Sequence, residues 1–219
     1  MSTPAERSAT PRLWACRALR ADGSIAWVAG TGSDRHADGE LVELPESEAL
    51  AYVGETAIVV AHMDPAGQVI GIRLAAGAAP KAPSMWFAEL AEETAAPPAL
   101  NLVAFTGFEV PNGQLLDRAQ LRATRARTEE QLAAIRVYPE TGEVDQVYVA
   151  PQWRRQSVGT ALILAAGILV RARGWRPLWA DGQRTADGDR LRDASIWRHR
   201  AAPLTNLAPP MTPFDDRLA

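Results

Sequence analysis

The 219-residue sequence has one cysteine, three histidines and no long apolar run, and each shortage excludes a class of protein. With Cys16 alone, the chain can form neither an internal disulfide nor a cysteine metal cluster. The histidines are isolated and lack metal-site spacing, so no metal ligand is assigned. The longest apolar run, residues 161–170, is about half of the ~20 residues that cross a bilayer. We therefore expect a cytoplasmic protein without a membrane segment.

Neither sign of charge dominates the chain. The formal net charge is -3, with 47% hydrophobic and 22% charged residues, which is ordinary globular composition. Such a balance gives no general reason to expect a nucleic-acid partner. One alternative is a nucleic-acid adaptor with a basic tail, which the acidic balance argues against. That tail would use Arg190, Arg192, Arg198 and Arg200.

Residues 142–162 change their hydrophobic period within a short distance. Val144, Val147 and Val149 indicate a strand that ends before a proline. The apolar residues that follow are typical of a helix, and Gly174 predicts its C-terminal cap. The residues at helical spacing are Val158, Leu162, Ala165, Ala166 and Leu169. The stretch therefore predicts a strand, a short polar turn and a long helix.

The predicted turn, residues 154–159, combines two arginines with small residues. The first amides of a helix have no internal partner, and the helix dipole adds about half a positive charge there. Gly159 lets the backbone come close to a ligand. The sequence therefore predicts a diphosphate site on this turn. Taken alone, Arg154 and Arg155 also fit an ordinary charged surface, and Ser157 fits an ordinary helix N-cap.

These residues resemble the acyl-CoA-binding core of the GNAT superfamily of N-acyltransferases. The family signature is Gln/Arg-x-x-Gly-x-Gly/Ala after a strand that ends Val-x-Pro. Arg154 takes the first place and Gly159 the last, whereas Ser157 stands where the first glycine is usual. The resemblance covers residues 131–197 and implies that acetyl-CoA is the acyl donor.

The resemblance also implies which residues bind acetyl-CoA. The backbone of Val147 and Val149 would pair with the pantetheine, and the Val149 amide would polarise the thioester carbonyl. The turn amides would hold the diphosphate, with the two arginines as charge partners. The implied binding residues are Val147, Val149, Arg154, Arg155, Gln156, Ser157, Val158, Gly159 and Thr160.

Two carboxylates are candidates for the general base that deprotonates the acceptor amine. Glu143 falls where several family members carry the base, and Asp145 is the second candidate. For both, a solvated carboxylate beside a hairpin turn is the ordinary alternative. The tyrosine that the family uses as proton donor on the last helix is absent from residues 181–197. Ser195 or solvent is left for that role.

The predicted fold class is α/β with an α+β mixed sheet: a GNAT-like acyltransferase core that follows a β-rich N-terminal region. We expect three parts, which are residues 1–96 (the β-rich region, of unknown role), 97–200 (the acyl-CoA-binding core) and 201–219 (a Pro-rich extended tail). The first part is either a separate domain or a source of strands for the core sheet.

The hydrophobic patterns also predict individual elements. Hairpins are expected at residues 13–29, 57–74 and 131–149. Helices are expected at residues 85–93 and 114–127, and a last helix from Thr185 to Trp197. Residues 178–180 are expected to form a strand parallel to the one that contains Glu143.

The expected function is transfer of an acetyl group from acetyl-CoA to a primary amine, carried by a small molecule or a protein that the sequence does not identify. The alternative is a catalytically degenerate GNAT-like module that binds CoA and serves in regulation or assembly. Ser157 and the missing tyrosine motivate that alternative. A homodimer is left open.

Overall fold

The computed structural model describes residues 13–31, 36–37, 39–55, 57–195 and 198–207. Most of the tail predicted at residues 201–219 lies outside the described residues, and so does the predicted end of the last helix at Trp197. Among the residues that are described, none of the helices has the length and apolarity needed to cross a bilayer.

The first of two five-stranded sheets among the described residues is built from the N-terminal part of the chain. The strand order is β3-β1-β2-β4-β5, with β3 parallel to β1 and all other neighbours antiparallel. The predicted hairpins at residues 13–29 and 57–74 are confirmed as β1–β2 and β4–β5. The strands are β1 (Leu13–Leu19), β2 (Ile25–Thr31), β3 (Leu41–Pro45), β4 (Ala57–Met63) and β5 (Val69–Leu74).

The second sheet has the strand order β10-β9-β7-β6-β8, with β8 parallel to β6 and the other neighbours antiparallel. The predicted hairpin at residues 131–149 is confirmed as β9–β10. The strands are β6 (Trp86–Glu92), β7 (Ala99–Phe105), β8 (Leu115–Leu116), β9 (Gln131–Tyr138) and β10 (Glu143–Val149). A pair of two-residue strands, β11 (Gln183–Arg184) and β12 (Asn206–Leu207), follows later in the chain.

The helix predicted at residues 85–93 is wrong, because this segment is strand β6. Its side chains alternate between two apolar environments. Phe87 packs in the core beside the long helix, whereas Trp86 and Ala88 pack on the other face of the sheet with Val103 and Phe105. Pairing with β7 along its whole length and burial on both faces outweigh the local helix propensity of its Ala, Glu and Leu residues.

The helices are α1 (Glu46–Glu55), α2 (Arg118–Ala123), α3 (Val158–Ala172) and α4 (Ala186–Ala194). The helix predicted at residues 114–127 is shorter than expected, because its first residues pair with β6. Asp117 then forms a capping box with Gln120 that starts α2. The predicted start of the last helix is confirmed, since the Thr185 hydroxyl accepts a 3.0 Å hydrogen bond from the Gly188 amide.

Helix α3 lies between the two sheets and organises the core. Twelve of its 15 residues are buried, which is expected of a helix that is covered on all sides. It contacts β2, β4 and β5 of the first sheet and β7, β9 and β10 of the second. One apolar cluster accordingly joins Trp27 and Ile72 of the first sheet to Phe87 and Ile135 of the second, through Leu162 of α3.

The two sheets also meet along one edge. The Ile72 amide donates a 2.6 Å hydrogen bond to the Gly113 carbonyl, and Gly71 and Gln114 form an antiparallel bridge.

The predicted fold class, mixed α/β with a β-rich N-terminal region, is confirmed. The predicted boundary between residues 96 and 97 falls in the turn between β6 and β7, which are neighbours in the second sheet. As a division into functional parts, the three predicted regions stay a prediction.

Candidate active site

Strand β10 carries a bulge that divides it into two parts. The register with β9 shifts between Val144 and Gln146, so Asp145 is the extra residue. On the free side of the strand, the Val144 amide donates a 2.8 Å hydrogen bond to the Trp179 carbonyl, and the Trp179 amide donates a 3.0 Å bond to Gly142. These bonds form a parallel bridge, so the predicted parallel contact of residues 178–180 with β10 is present.

Beyond this bridge, no segment that the structure describes pairs with the outer edge of β10. Ala180 turns away and pairs with residues 200–202, where its carbonyl accepts a 2.9 Å hydrogen bond from the Ala202 amide. The chain therefore separates from β10 after Trp179, and the second part of β10, Gln146 to Val149, borders a gap. A gap of this kind leaves room for an extended ligand beside the strand.

The backbone of Val147 and Val149 faces this gap. The Ala150 amide donates a 2.9 Å hydrogen bond to the Leu132 carbonyl, so the backbone of Ala150 points towards β9. Hydrogen-bonded residues alternate with residues that point the other way along an antiparallel pair of strands. The alternation points the amides and carbonyls of Val147 and Val149 away from β9. The Val149 carbonyl confirms this direction, since it accepts a 3.1 Å hydrogen bond from Arg154 Nε.

The turn between β10 and α3 presents unpaired backbone amides. A 3-10 turn, Pro151–Trp153, comes first, and α3 begins at Val158. Arg155 and Ser157 have φ angles of 63° and 58°, in the left-handed region. Within the part of the chain that the structure describes, the amides of residues 155–160 donate to no protein acceptor. Alternating backbone conformations of this kind make a concave group of N–H donors that binds anions.

Ser157 occupies the N-cap position of α3, but its side chain forms no capping hydrogen bond. The interpretation of Ser157 as an ordinary N-cap is therefore wrong, because an ordinary N-cap side chain accepts a hydrogen bond from the first turn of the helix. Its positive φ explains why the family signature has glycine at this place, because glycine adopts this conformation without a steric penalty.

A cleft of about 740 Å³ opens over this turn and the free edge of β10. It brings together eight of the nine predicted acetyl-CoA-binding residues, all but Gln156, whose side chain bonds the Gln152 carbonyl instead at 2.9 Å. Helix α4 forms the opposite wall, where Leu191 lies against Gly159. The lining comprises Val147, Tyr148, Val149, Trp153, Arg154, Arg155, Ser157, Val158, Gly159, Thr160, Thr185, Ala186, Asp187, Gly188, Arg190, Leu191, Asp193 and Ala194.

The two arginines of the turn differ in their ion-pair partners. Asp187 of α4 accepts a 2.7 Å hydrogen bond from Arg190 and lies 4.0 Å from an Arg154 nitrogen. Arg154 is therefore held against Val149 and Asp187. The exposed Arg155 makes no ion pair with any residue that the structure describes. Arg155 is accordingly the arginine most able to pair with an anionic ligand in this cleft.

The two candidate bases lie in different places. Asp145 borders a second cleft of about 320 Å³, which shares Val147, Thr185, Gly188 and Leu191 with the first. Glu143 borders neither cleft. At about 3.3 Å per residue it lies roughly 20 Å from Val149 along β10. The structure therefore brings Asp145, and not Glu143, towards the open edge, while the catalytic role of each stays a prediction.

Asp145 is held by a polar network that the sequence patterns do not predict. Arg136 on β9 donates hydrogen bonds of 2.7 Å to Asp145 and 2.8 Å to Glu92, and Asn101 donates one of 2.6 Å to Glu92. The pKa of the Glu92 carboxyl is lowered, first by the bond from Arg136 and then by that from Asn101. Burial and the Asp145 carboxylate raise the pKa of the Tyr138 hydroxyl. A lone arginine in an apolar strand was the available signal, but its partner Glu92 is 44 residues away.

The described residues carry no group of three or more His, Cys, Asp or Glu side chains placed to hold a metal ion. The tyrosine expected on the last helix is also absent from α4. Tyr148 borders the first cleft and Ser195 the second, so both lie near the site.

Together, the sheets and the cleft define a mixed α/β protein whose central helix begins beside a strand edge that the described residues leave unpaired, with unpaired turn amides between the two. Residues 83–188 match the model of the acetyltransferase (GNAT) family. This match supports an acyltransferase type of function in general. No curated protein and no solved structure matches the chain.

Proposed function

We propose that the chain is an N-acetyltransferase that moves an acetyl group from acetyl-CoA to a primary amine. The observation that carries this proposal is the set of amides at residues 155–160 that are unpaired among the described residues, next to a strand edge with which no described segment pairs. A diphosphate suits such donors, and an extended amide chain suits the outward-facing backbone groups of Val147 and the Val149 amide. The volume of the first cleft is also within the range of ligand pockets, about 300–1,000 Å³.

In this proposal the residues of the chain bind, orient and move a proton. The turn amides and Arg155 hold the diphosphate, and the Val149 amide donates to the thioester carbonyl oxygen. The acceptor amine reaches the carbonyl carbon from the second cleft, so that a C–N bond forms and the C–S bond breaks. Asp145 takes the proton that the amine loses, directly or through water, and the departing thiolate takes a proton from solvent.

The acceptor amine belongs to a small molecule or a protein, and the proposed compartment is the cytoplasm. The single buried Cys16 fits a reducing compartment, because burial raises the pKa of its thiol to about 11 and keeps it unreactive. A homodimer remains part of the proposal, without an interface assigned to it.

A second candidate function is a GNAT-like module that binds CoA without turnover. Three observations favour it: Ser157 in place of a glycine, the absence of a tyrosine from α4, and the distance of Glu143 from both clefts. Thermal shift with acetyl-CoA and with CoA, followed by thiol release with a panel of primary amines, separates the two functions. Stabilisation with thiol release indicates the enzyme, and stabilisation without it indicates the module.

Two variants test the base. Asp145→Asn is expected to lower kcat by about 10²-fold or more, while acetyl-CoA binds as before, because the proton acceptor is lost but the amide oxygen can still accept the hydrogen bond from Arg136. Glu143→Gln is the matched control and is expected to change kcat by less than about threefold, since Glu143 borders neither cleft. The measurement is steady-state thiol release. A large loss in Glu143→Gln with a normal Asp145→Asn would reverse the assignment.

A further inference from the structure

The first sheet contains a cavity that the proposed acetyl transfer does not use. It measures about 270 Å³ and lies between the first turn of α1 and the face of the sheet that points away from α3. Its floor is apolar and made mainly of small side chains, which do not fill the space under the helix. The floor residues on the sheet include Ala18, Ala26, Val28 and Ala57, and Ala49 of α1 faces them.

The rim of this cavity is polar and mostly cationic. Arg20 forms a 3.1 Å ion pair with Glu46, which neutralises one of its two arginines. Arg73 on β5 also lines the cavity and makes no ion pair with any residue that the structure describes. One positive charge is therefore left at the mouth of an apolar space.

His62 on β4 is the third basic group on the rim. Over the described ranges of the chain, its ring has no hydrogen-bond partner. Burial lowers the pKa of the His62 imidazole, and the charges of Arg20 and Arg73 lower it further. At neutral pH the ring is accordingly neutral, with one N–H donor available to a ligand.

We propose that this cavity binds a small organic anion, a carboxylate on an apolar body of about the size of benzoate. The carboxylate would pair with Arg73 and accept a hydrogen bond from His62, two groups that have no partner among the described residues. The apolar body would cover the alanine floor. The volume lies near the lower end of ligand pockets, so larger ligands are excluded. This site does not rest on the acetyltransferase proposal.

The first test is calorimetric titration of the full chain with sodium benzoate, with benzyl alcohol as a neutral ligand of similar shape. Saturable benzoate binding, at least about tenfold tighter than that of benzyl alcohol, is the expected result. The ring signals of His62 in an NMR spectrum should shift during the same titration. Equal affinity for the two ligands, or His62 signals that do not move, would overturn the proposal.

Variants locate the site. Arg73→Gln should weaken benzoate binding by about tenfold or more, and Arg73→Lys should recover part of the loss because the charge returns. Arg122→Gln removes an equivalent exposed charge on α2 and should have no effect. Acetyl-CoA affinity should be the same in all three variants, so the two proposals fail separately. Unchanged benzoate affinity in Arg73→Gln would disprove the site.

Discussion

Ser157 stands where the GNAT signature usually has glycine, with a left-handed φ of 58°, and its side chain contributes no hydrogen bond to the helix that it precedes. Its hydroxyl therefore gives the turn nothing that offsets the left-handed φ. The Cβ atom of Ser157 also stands where the backbone is expected to approach a diphosphate. For both reasons, replacement of Ser157 by glycine should improve acetyl-CoA binding.

Ser157→Gly is expected to bind acetyl-CoA about threefold tighter or more, because the backbone amides can approach the diphosphate more closely. The stability of the fold should change by no more than about 1 kcal/mol, since relief of the left-handed conformation offsets the greater entropy of an unfolded glycine. Calorimetric titration and urea unfolding give the two quantities.

Ser157→Ala is the control for this change. Alanine removes the hydroxyl but keeps the Cβ atom, so its acetyl-CoA affinity should match that of the wild type. Equal tightening in both variants would show that the hydroxyl, and not the backbone, limits binding.

At the residue scale, residue types predicted the positions in the turn but not their conformations. Arg154, Arg155 and Gly159 could be assigned because arginine and glycine at a helix start are typical of phosphate sites. The left-handed angles of Arg155 and Ser157 could not, since non-glycine residues rarely adopt them. The Arg136 network could not be predicted for a different reason, namely that its members come together only when β6, β7, β9 and β10 assemble into the second sheet.

Among the elements, the joint between β5 and the segment before β8 connects the two sheets. Gly113 at this joint has a φ of +80°, and a Cβ atom there would lie 2.6 Å from the Ile72 carbonyl oxygen. At the same place, the hydrogen bond from the Ile72 amide to the Gly113 carbonyl brings the edges of the two sheets together. No side chain fits here without separation of the strands.

Gly113→Ala is expected to lower the free energy of unfolding by about 2 kcal/mol or more, because strain in φ adds to a collision with backbone. Gly67→Ala is the matched control, since Gly67 has a φ of +83° and nothing within 4 Å of its Cβ position. It should lose only about 1 kcal/mol, the cost of the left-handed conformation. Urea unfolding measures both, and equal losses would show that the contact with Ile72 is unimportant.

Helices and strands could be predicted wherever a clear hydrophobic periodicity was followed by turn-forming residues. The three hairpins and α3 satisfy that condition. Strand β6 does not, because both of its faces are apolar and its residues alone are compatible with a helix. Only pairing with β7, which depends on residues further along the chain, decides between the two structures.

On the scale of the whole molecule, α3 packs against both the N-terminal sheet and the second sheet, which the sequence predicts as separate regions. The family match begins at residue 83, yet α3 packs against β2, β4 and β5 as closely as against the second sheet. The apolar residues of α3 that face the first sheet would be exposed without it. The sequence could show that α3 is apolar on all sides but not what covers each side.

The shared core predicts that the chain unfolds in one step. Tryptophan fluorescence, which includes Trp14 and Trp27 of the first sheet, and far-UV circular dichroism should give the same urea midpoint. Separated midpoints would indicate that the first sheet unfolds independently, as a separate N-terminal domain would.

The central claim for the molecule is that the turn before α3 holds the diphosphate of acetyl-CoA, and Arg155→Glu tests it most directly. Arg155 is exposed and forms no ion pair with a described residue, so the substitution should leave the fold intact while it places a carboxylate beside the turn amides. Arg122→Glu on α2 makes the same change of charge elsewhere. In calorimetric titration with acetyl-CoA, we predict saturable binding by the wild type and by Arg122→Glu, and affinity at least about tenfold weaker in Arg155→Glu. Absence of binding by the wild type, or equal affinity in all three proteins, would contradict the account.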